Sequence, residues 1–173
     1  MAVLREVVSG DVDALQELIE SDPGYAERVT GYPPGAADAQ SLLMMRPEGL
    51  AEEGKRVLGV WEEGQLVAVV DLLRGYPVGH TAFIGLLEVH GEHRGRGVGA
   101  AAYGLAEEYV VREWPEVRTL RLAVVDTNAQ QAQGFWEKLG FESTGESKAY
   151  EYDKLVSTSR LYEKQLLGEE RGG

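Results

Sequence analysis

A glycine-rich loop with two arginines occupies residues 88–101, in the run EVHGEHRGRGVGAA. It follows an apolar run and precedes a segment with helical periodicity, so we expect it to open a helix. The N–H groups of a helix's first turn lack partners and carry partial positive charge, and glycines let a ligand approach them. Arg94 and Arg96 add the forked cationic groups that bind phosphate. The loop therefore predicts a phosphate-binding site, with a turn carrying two solvated arginines as the alternative.

The loop does not match every phosphate-binding pattern. A P-loop would end in Gly-Lys-Ser/Thr, which is missing here. Gly95, Gly97 and Ala100 match the GxGxxA pattern of dinucleotide sites, and Asp126 could act as the ribose-binding acid. However, residues 91–94 separate the strand from the first glycine, and the pattern belongs to a first βα unit. A nucleotide-dependent oxidoreductase therefore stays open as a minor alternative.

The periodicity of apolar residues predicts the elements that position this loop. Strands are expected over 2–8, 80–90, 119–125, 141–153 and 158–167, a hairpin over 55–75, and helices over 9–24, up to about 46, about 97–112 and 128–141. Pro23-Gly24 is expected to end the first helix. The order β-α-α-β-β-β-α-β-α-β-β predicts one mixed α/β sheet with helices on both faces. Residues 168–173 are expected to form a disordered tail.

Composition restricts the class of protein. The 173 residues suit one domain over 1–173, and the net charge of −12 disfavours a nucleic-acid partner. No apolar run reaches the roughly 18 residues that span a bilayer, and the first ten residues lack a signal-peptide core. Cysteine is absent, which excludes a disulfide framework, a thiolate metal site and a cysteine nucleophile. His90 and His93 have HxxH spacing across a loop without completing carboxylates, so no metal site is predicted. We expect a cytoplasmic protein.

Two motifs resemble those of one known family. The run Arg94-Gly95-Arg96-Gly97-Val98-Gly99 fits the Arg/Gln-x-x-Gly-x-Gly/Ala signature of the GNAT superfamily of N-acetyltransferases. The preceding LLEVHGEH resembles that family's fourth strand, and FWEKLGF resembles its second signature, Phe/Leu-Tyr-x-x-x-Gly-Phe. The resemblance covers residues 2–167. It implies a mostly antiparallel sheet of six to seven strands that is splayed between its fourth and fifth strands.

The resemblance implies transfer of an acetyl group from acetyl-CoA to a primary amine of a small molecule or protein, by direct attack in a ternary complex. From the charge, the hydropathy and the histidine spacing described above, we expect no metal, nucleic-acid or membrane partner, and a homodimer stays an option. The cofactor residues that the resemblance implies are the pyrophosphate loop of Arg94, Gly95, Arg96, Gly97, Val98 and Gly99, the backbone of Leu87 and Val89 beside the pantetheine, and the side chains of Asn128, Phe135 and Trp136.

The same resemblance raises the question of the catalytic groups. A carboxylate can take the proton of the attacking amine, and Glu88 is the ionisable residue of the apolar run FIGLLEV beside the implied acetyl position. A strand residue that faces solvent or pairs with Arg94 is the alternative. Trp136 replaces the family's usual tyrosine, and an indole N–H is no useful acid. It is either a pocket residue or a core aromatic, and a CoA-binding module without catalysis remains an alternative. Other hydroxyls could come from Tyr76, Tyr150 or Tyr162.

Overall fold

The structure is a computed structural model, and it describes residues 1–166. Its helices and strands are, in chain order, β1 (Ala2–Glu6), α1 (Val12–Ser21), α2 (Pro23–Thr30), α3 (Asp38–Met44), β2 (Lys55–Glu62), β3 (Gln65–Arg74), β4 (Thr81–Val89), α4 (Val98–Glu113), β5 (Thr119–Val125), α5 (Ala129–Lys138), β6 (Glu142–Tyr152) and β7 (Leu155–Gln165). The tail predicted over 168–173 lies outside the described residues.

Helix α2 is the element that the sequence pattern missed. Pro23 was expected to end the first helix, and it does follow the end of α1, but it also occupies the first turn of α2. A proline is tolerated there because its missing N–H would have no intrahelical partner in any case. Helix α2 ends at Gly31, whose left-handed backbone (φ 83°) lets its N–H donate to the carbonyl of Glu27.

The seven strands form one sheet in the order β1-β2-β3-β4-β5-β7-β6, in which only the β4–β5 pair is parallel. The pairing of β4 with β5 runs from Thr81–Thr119 to Ile84–Leu122 and goes no further, although the strands continue to Val89 and Val125. The two strands therefore part in the middle of the sheet. The mixed, mostly antiparallel, splayed sheet expected from the sequence is confirmed.

Helices cover both faces of the sheet, as predicted. On one face α1 and α3 bury Leu15, Leu18 and Ala39 against strand residues such as Val57 and Val69. On the other face α4 and α5 enclose a larger apolar core that includes the following side chains: Ala102, Tyr103, Ala106, Val110, Trp136, Val70 and Leu72. The two layers hold the parted ends of β4 and β5 between them. No helix within residues 1–166 is long and apolar enough to cross a membrane.

Candidate functional site

A cavity of about 400 Å³ opens where β4 and β5 part. Its walls come from α2, the end of β4 with the glycine loop that follows it, β5 and α5. Of the residues predicted from the sequence, those that line it are Leu87, Glu88, Val89, Arg94, Gly95, Gly97, Val98, Gly99, Asn128, Phe135 and Trp136. Arg96 is exposed and does not line the cavity.

The glycine loop presents bare backbone at the start of α4. Gly95 and Gly97 have left-handed φ angles of 76° and 77°, and Gly97 caps α4 without a side-chain hydrogen bond. A Cβ at either position would meet nothing within 4 Å, so the space beside this backbone is open. A Cβ on Gly99 would lie 3.2 Å from Cε1 of Phe135, so close packing of α4 on α5 favours glycine there. The loop is thus open on its outer side and tightly packed on its inner side.

Arg94 forms an ion pair with Asp22, the residue between α1 and α2. The sequence had suggested Glu88 as a partner for Arg94, and this alternative is wrong. Half of the Arg94 side chain stays exposed, so the pair is solvated and of low stability, and its guanidinium can exchange one anion for another.

Glu88 is buried, with 7% of its surface exposed, and the alternative of a solvent-facing residue is therefore also wrong. It lies opposite Val69, on the sheet face that α1 and α3 cover. Burial and then the negative charge of Asp22 raise its pKa to about 8, while Arg94 and Arg28 oppose the rise. A carboxyl group with a pKa near neutrality can exchange a proton with an amine.

Trp136 belongs mainly to the core. It is 8% exposed and makes edge-to-face contacts with Tyr103, Phe135 and Phe141 at centroid distances of 6.0, 4.9 and 5.3 Å. Its remaining surface contributes to the cavity wall. Trp136 therefore combines the two roles that the sequence had left open, since packing fixes it and part of it faces the cavity.

The cavity contains a tyrosine that the sequence did not indicate. Tyr76, Tyr150 and Tyr162 do not line it, and the Tyr150 hydroxyl donates instead to the carbonyl of Val29 at 2.6 Å. Tyr25 of α2 does line it. Burial, and then the charge of Glu88, raise the pKa of Tyr25, while Arg28 opposes the rise. Tyr25 thus keeps its proton at neutral pH.

Asn128 is held by another residue that sequence reasoning missed. The Nε of Arg28, on α2, donates to Oδ1 of Asn128 at 2.6 Å, and the Thr127 hydroxyl donates to the Arg28 carbonyl at 2.5 Å. Recognising that Asp22-Pro23 can start a helix would have revealed α2, although not its contact with a turn a hundred residues away.

The two loop histidines have separate partners. Nδ1 of His90 accepts from the N–H of Glu92 at 3.1 Å, and a ring nitrogen of His93 lies 3.0 Å from Oε1 of Gln65. Within the part of the chain that the structure describes, no three metal-ligating side chains cluster together. The HxxH spacing therefore brings these two side chains near each other without forming a ligand set.

Comparison with known proteins agrees with this fold. Residues 13–141 match the family described as the Acetyltransferase (GNAT) family, and the chain belongs to it. An acetyltransferase from Thermus thermophilus is similar in structure, with 22% identity, a TM-score of 0.74, and coverage of 96% of this chain and 97% of that one. No curated protein matched in a sequence search.

Two further solved structures share the fold. Spermidine N-acetyltransferase from Vibrio cholerae, in complex with CoA and spermine, has 17% identity, a TM-score of 0.73 and coverage of 95% of both chains. The ribosomal-protein-S18-alanine N-acetyltransferase from Escherichia coli has 18% identity, a TM-score of 0.66 and coverage of 95% and 94%. At such low identities, the likeness shows the common fold alone.

Proposed function

We propose that this chain transfers the acetyl group of acetyl-CoA to a primary amine by direct attack in a ternary complex. The observation that carries the proposal is the juxtaposition of two features in one cavity. One is the open glycine loop at the start of α4, and the other is the buried carboxyl group of Glu88 with its raised pKa. Membership of the family supports cofactor binding at the glycine loop. The attacking amine must lose a proton, and the Glu88 carboxyl group is the proposed base that receives it.

The residues around the cavity fit acetyl-CoA. The open space beside Gly95 and Gly97 suits a pyrophosphate on the helix N-terminus, with Arg94 and the exposed Arg96 supplying charge. Leu87 and Val89 lie beyond the paired part of β4 and β5, where backbone groups can hydrogen-bond to the amides of a pantetheine arm. Asn128, Phe135 and Trp136 complete this wall.

The proposed chemistry assigns one task to each group. When bound, acetyl-CoA supplies a thioester carbonyl carbon; a C–N bond forms to the amine while the C–S bond breaks. Glu88 takes the proton that the amine nitrogen loses, and the backbone N–H near Val89 donates to the carbonyl oxygen as negative charge develops there. Trp136 is no acid, but a thiol has a reference pKa of about 8.5, so the thiolate is a competent leaving group.

Two alternative functions remain to be compared with acetyl transfer, and the observations support them unequally. A CoA-binding module with impaired catalysis is favoured by one observation, the replacement of the usual tyrosine by Trp136. The hypothesis of a nucleotide-dependent oxidoreductase is disfavoured. The GxGxxA pattern indicates dinucleotide binding when it occurs in a parallel sheet, and this sheet is mostly antiparallel. The named acceptors of the two relatives, spermidine and a ribosomal-protein alanine, differ and do not select one here. A homodimer and a cytoplasmic location stay predictions.

The test combines ligand binding with CoA release. Acetyl-CoA should raise the melting temperature and NAD(P) should not, and free CoA should appear with at least one primary amine from a panel of polyamines, amino acids and peptides. Replacing both Arg94 and Arg96 with Ala should weaken acetyl-CoA binding by about 2–4 kcal/mol, measured by calorimetry. Arg112→Ala, at an exposed site on α4, is the matched charge control. Binding without CoA release on any amine would favour the impaired module, and no binding would reject both.

A further inference from the structure

Arg28 is a partly buried cation in the cavity wall, and among residues 1–166 the Nη atoms of its guanidinium have no hydrogen-bond partner. Its Nε donates to Asn128, but among residues 1–166 no carboxylate forms an ion pair with it. The neighbouring cation of the cavity, Arg94, has Asp22 as its counter-ion. Withdrawing a cation from water costs free energy, which an anion in forked contact with the guanidinium offsets. The Nη atoms of Arg28 therefore offer a binding position for an anionic group.

This position lies on a different wall of the cavity from the glycine loop. Arg28 lies on α2, whereas the phosphate-binding loop is at the start of α4. Glu88 points to the sheet face covered by α1 and α3, and both Glu88 and Arg28 line the cavity of about 400 Å³. The proposed base and the available cation thus face the same cavity.

We infer that the acceptor is an amino acid or a similar small amine with its own carboxylate, which Arg28 binds while Glu88 receives the amine. The inference rests on the proposed function and names its substrate class. Arg28 then acts as a specificity-determining residue: its Nη atoms donate to the carboxylate, and its Nε holds Asn128 in the wall on which the pantetheine is proposed to lie. An amine without a carboxylate would leave the guanidinium without an anion.

Gly24 supports this arrangement because it leaves room for the guanidinium. A Cβ on Gly24 would lie 2.7 Å from Nη1 of Arg28 and 3.6 Å from Oδ1 of Asp22. Such a Cβ would displace the flexible end of the arginine, while alanine has a higher helix propensity than glycine, here in the first turn of α2. Gly24→Ala therefore moves the guanidinium without removing its charge and without destabilising α2. It provides a second variant that is independent of Arg28→Ala.

The experiment measures kcat/KM for matched acceptors that differ in the carboxylate. Methionine, leucine and phenylalanine are each compared with their amides and with the corresponding amines that lack the carboxyl carbon. The parent should prefer the carboxylate in at least one series by about 10–100-fold, the range of a charged hydrogen bond. Arg28→Ala should abolish that preference, Gly24→Ala should reduce it, and Arg112→Ala should leave it unchanged. Acetyl-CoA affinity, measured by calorimetry, should stay within about twofold in Gly24→Ala and Arg112→Ala, which both keep the Arg28 side chain that holds Asn128.

The outcomes separate the inference from the proposed function. If some amine releases CoA but the parent shows no preference for carboxylates, the inference is overturned and the acetyltransferase stands. If Arg28→Ala weakens acetyl-CoA binding about tenfold and keeps the preference, Arg28 belongs to the cofactor site and the inference is again overturned. If no amine of any kind releases CoA, it is the proposed function that fails.

Discussion

Glu88 and Asp71 are two carboxyl groups on one face of the sheet with opposite surroundings. Glu88 lies opposite Val69, and Asp71 is two residues from Val69 on the same strand. Their exposed fractions are 7% and 6%. Asp71 has both oxygens 3.0 Å from Nζ of Lys55, whereas among residues 1–166 no side chain forms an ion pair with Glu88. Equal burial is thus combined with unequal pairing, because Asp71 has a cation in contact and Glu88, the proposed base, does not.

The pKa values describe the same difference. Burial raises the pKa of both groups, and it is opposed at Asp71 by the ammonium of Lys55 in direct contact. At Glu88 the opposing charges of Arg94 and Arg28 act at a distance, and Asp22 adds to the rise. An ion-paired acid holds its charge and geometry, whereas an acid without a contacting cation can take a proton and release it near pH 8. Three expected effects test whether the two groups differ in this way.

The largest effect is expected for catalysis at Glu88. Glu88→Gln should lower kcat by about 10²–10⁴ without weakening acetyl-CoA binding, because it removes the base and keeps the shape of the side chain. In the parent, the rate should rise as pH increases through about 8, where Glu88 loses its proton. The measurement is kcat and KM against pH on an accepted amine. A variant within about threefold of the parent at every pH would remove Glu88 from the mechanism.

A smaller effect, on stability, is expected when Asp71 is deprived of its contacting cation and is then unpaired as Glu88 is. Lys55→Met leaves a buried carboxylate without its cation and should lower the free energy of unfolding by about 3–5 kcal/mol at neutral pH. The double change Lys55→Met with Asp71→Leu should recover most of the loss, since it leaves no buried charge. Urea unfolding of parent, single and double variants measures both. A single variant as stable as the parent would show that the pair is not structurally important.

The third effect is a gain in stability for Glu88→Gln at alkaline pH. The pKa of Glu88 is raised from 4.5 in the unfolded chain to about 8 in the fold, so between these values the folded state binds more protons. The parent therefore loses stability as pH rises from about 4.5 to 8, and the loss is complete above 8. Glutamine does not titrate, so the variant should exceed the parent at pH 9 by up to a few kcal/mol, at about 1.36 per pKa unit.

Two further measurements complete this third test. At pH 5 the parent and Glu88→Gln should unfold at nearly equal urea concentrations. The carboxyl group of Glu88 in the folded parent is then protonated, and it is therefore as neutral as the glutamine side chain. Asp71→Asn should behave differently and lose stability at both pH values, since it leaves Lys55 buried without its counter-ion. Equal stability of parent and Glu88→Gln at pH 9 would contradict the raised pKa.

The wall of the cavity that the glycine loop forms could be predicted from sequence because it is local. The glycine loop lies within a few residues of the strand before it and the helix after it, so the chemistry of Gly95, Gly97 and Arg94 is visible in one short run. Strand and helix periodicity predicted the order of the elements except for α2, and the resemblance added the mostly antiparallel sheet and the splay between β4 and β5. Glu88 was identified as an acid in an apolar run, although its burial was not.

The wall of the cavity that α2 forms could not be predicted because distant segments meet there. Arg28 meets Asn128 across 100 residues, and Arg94 meets Asp22 across 72. Both contacts depend on α2, which the pattern missed because Asp22-Pro23-Gly24 was interpreted as the end of a helix. The ion pair of Asp71 had a signal, a single acid inside the apolar run of β3, but its partner depends on the register of two strands.

The attachment of α2 has a consequence for protein engineering. Its last turn is fastened to two other parts of the chain: the Arg28 carbonyl accepts from Thr127 and the Val29 carbonyl from Tyr150, while the Arg28 side chain holds Asn128. These contacts use carbonyl groups that a helix end leaves without intrahelical partners. The helix is therefore not an interchangeable part by itself. A chimaera that transplants α2 into another acetyltransferase would need Thr127, Asn128 and Tyr150 transplanted with it.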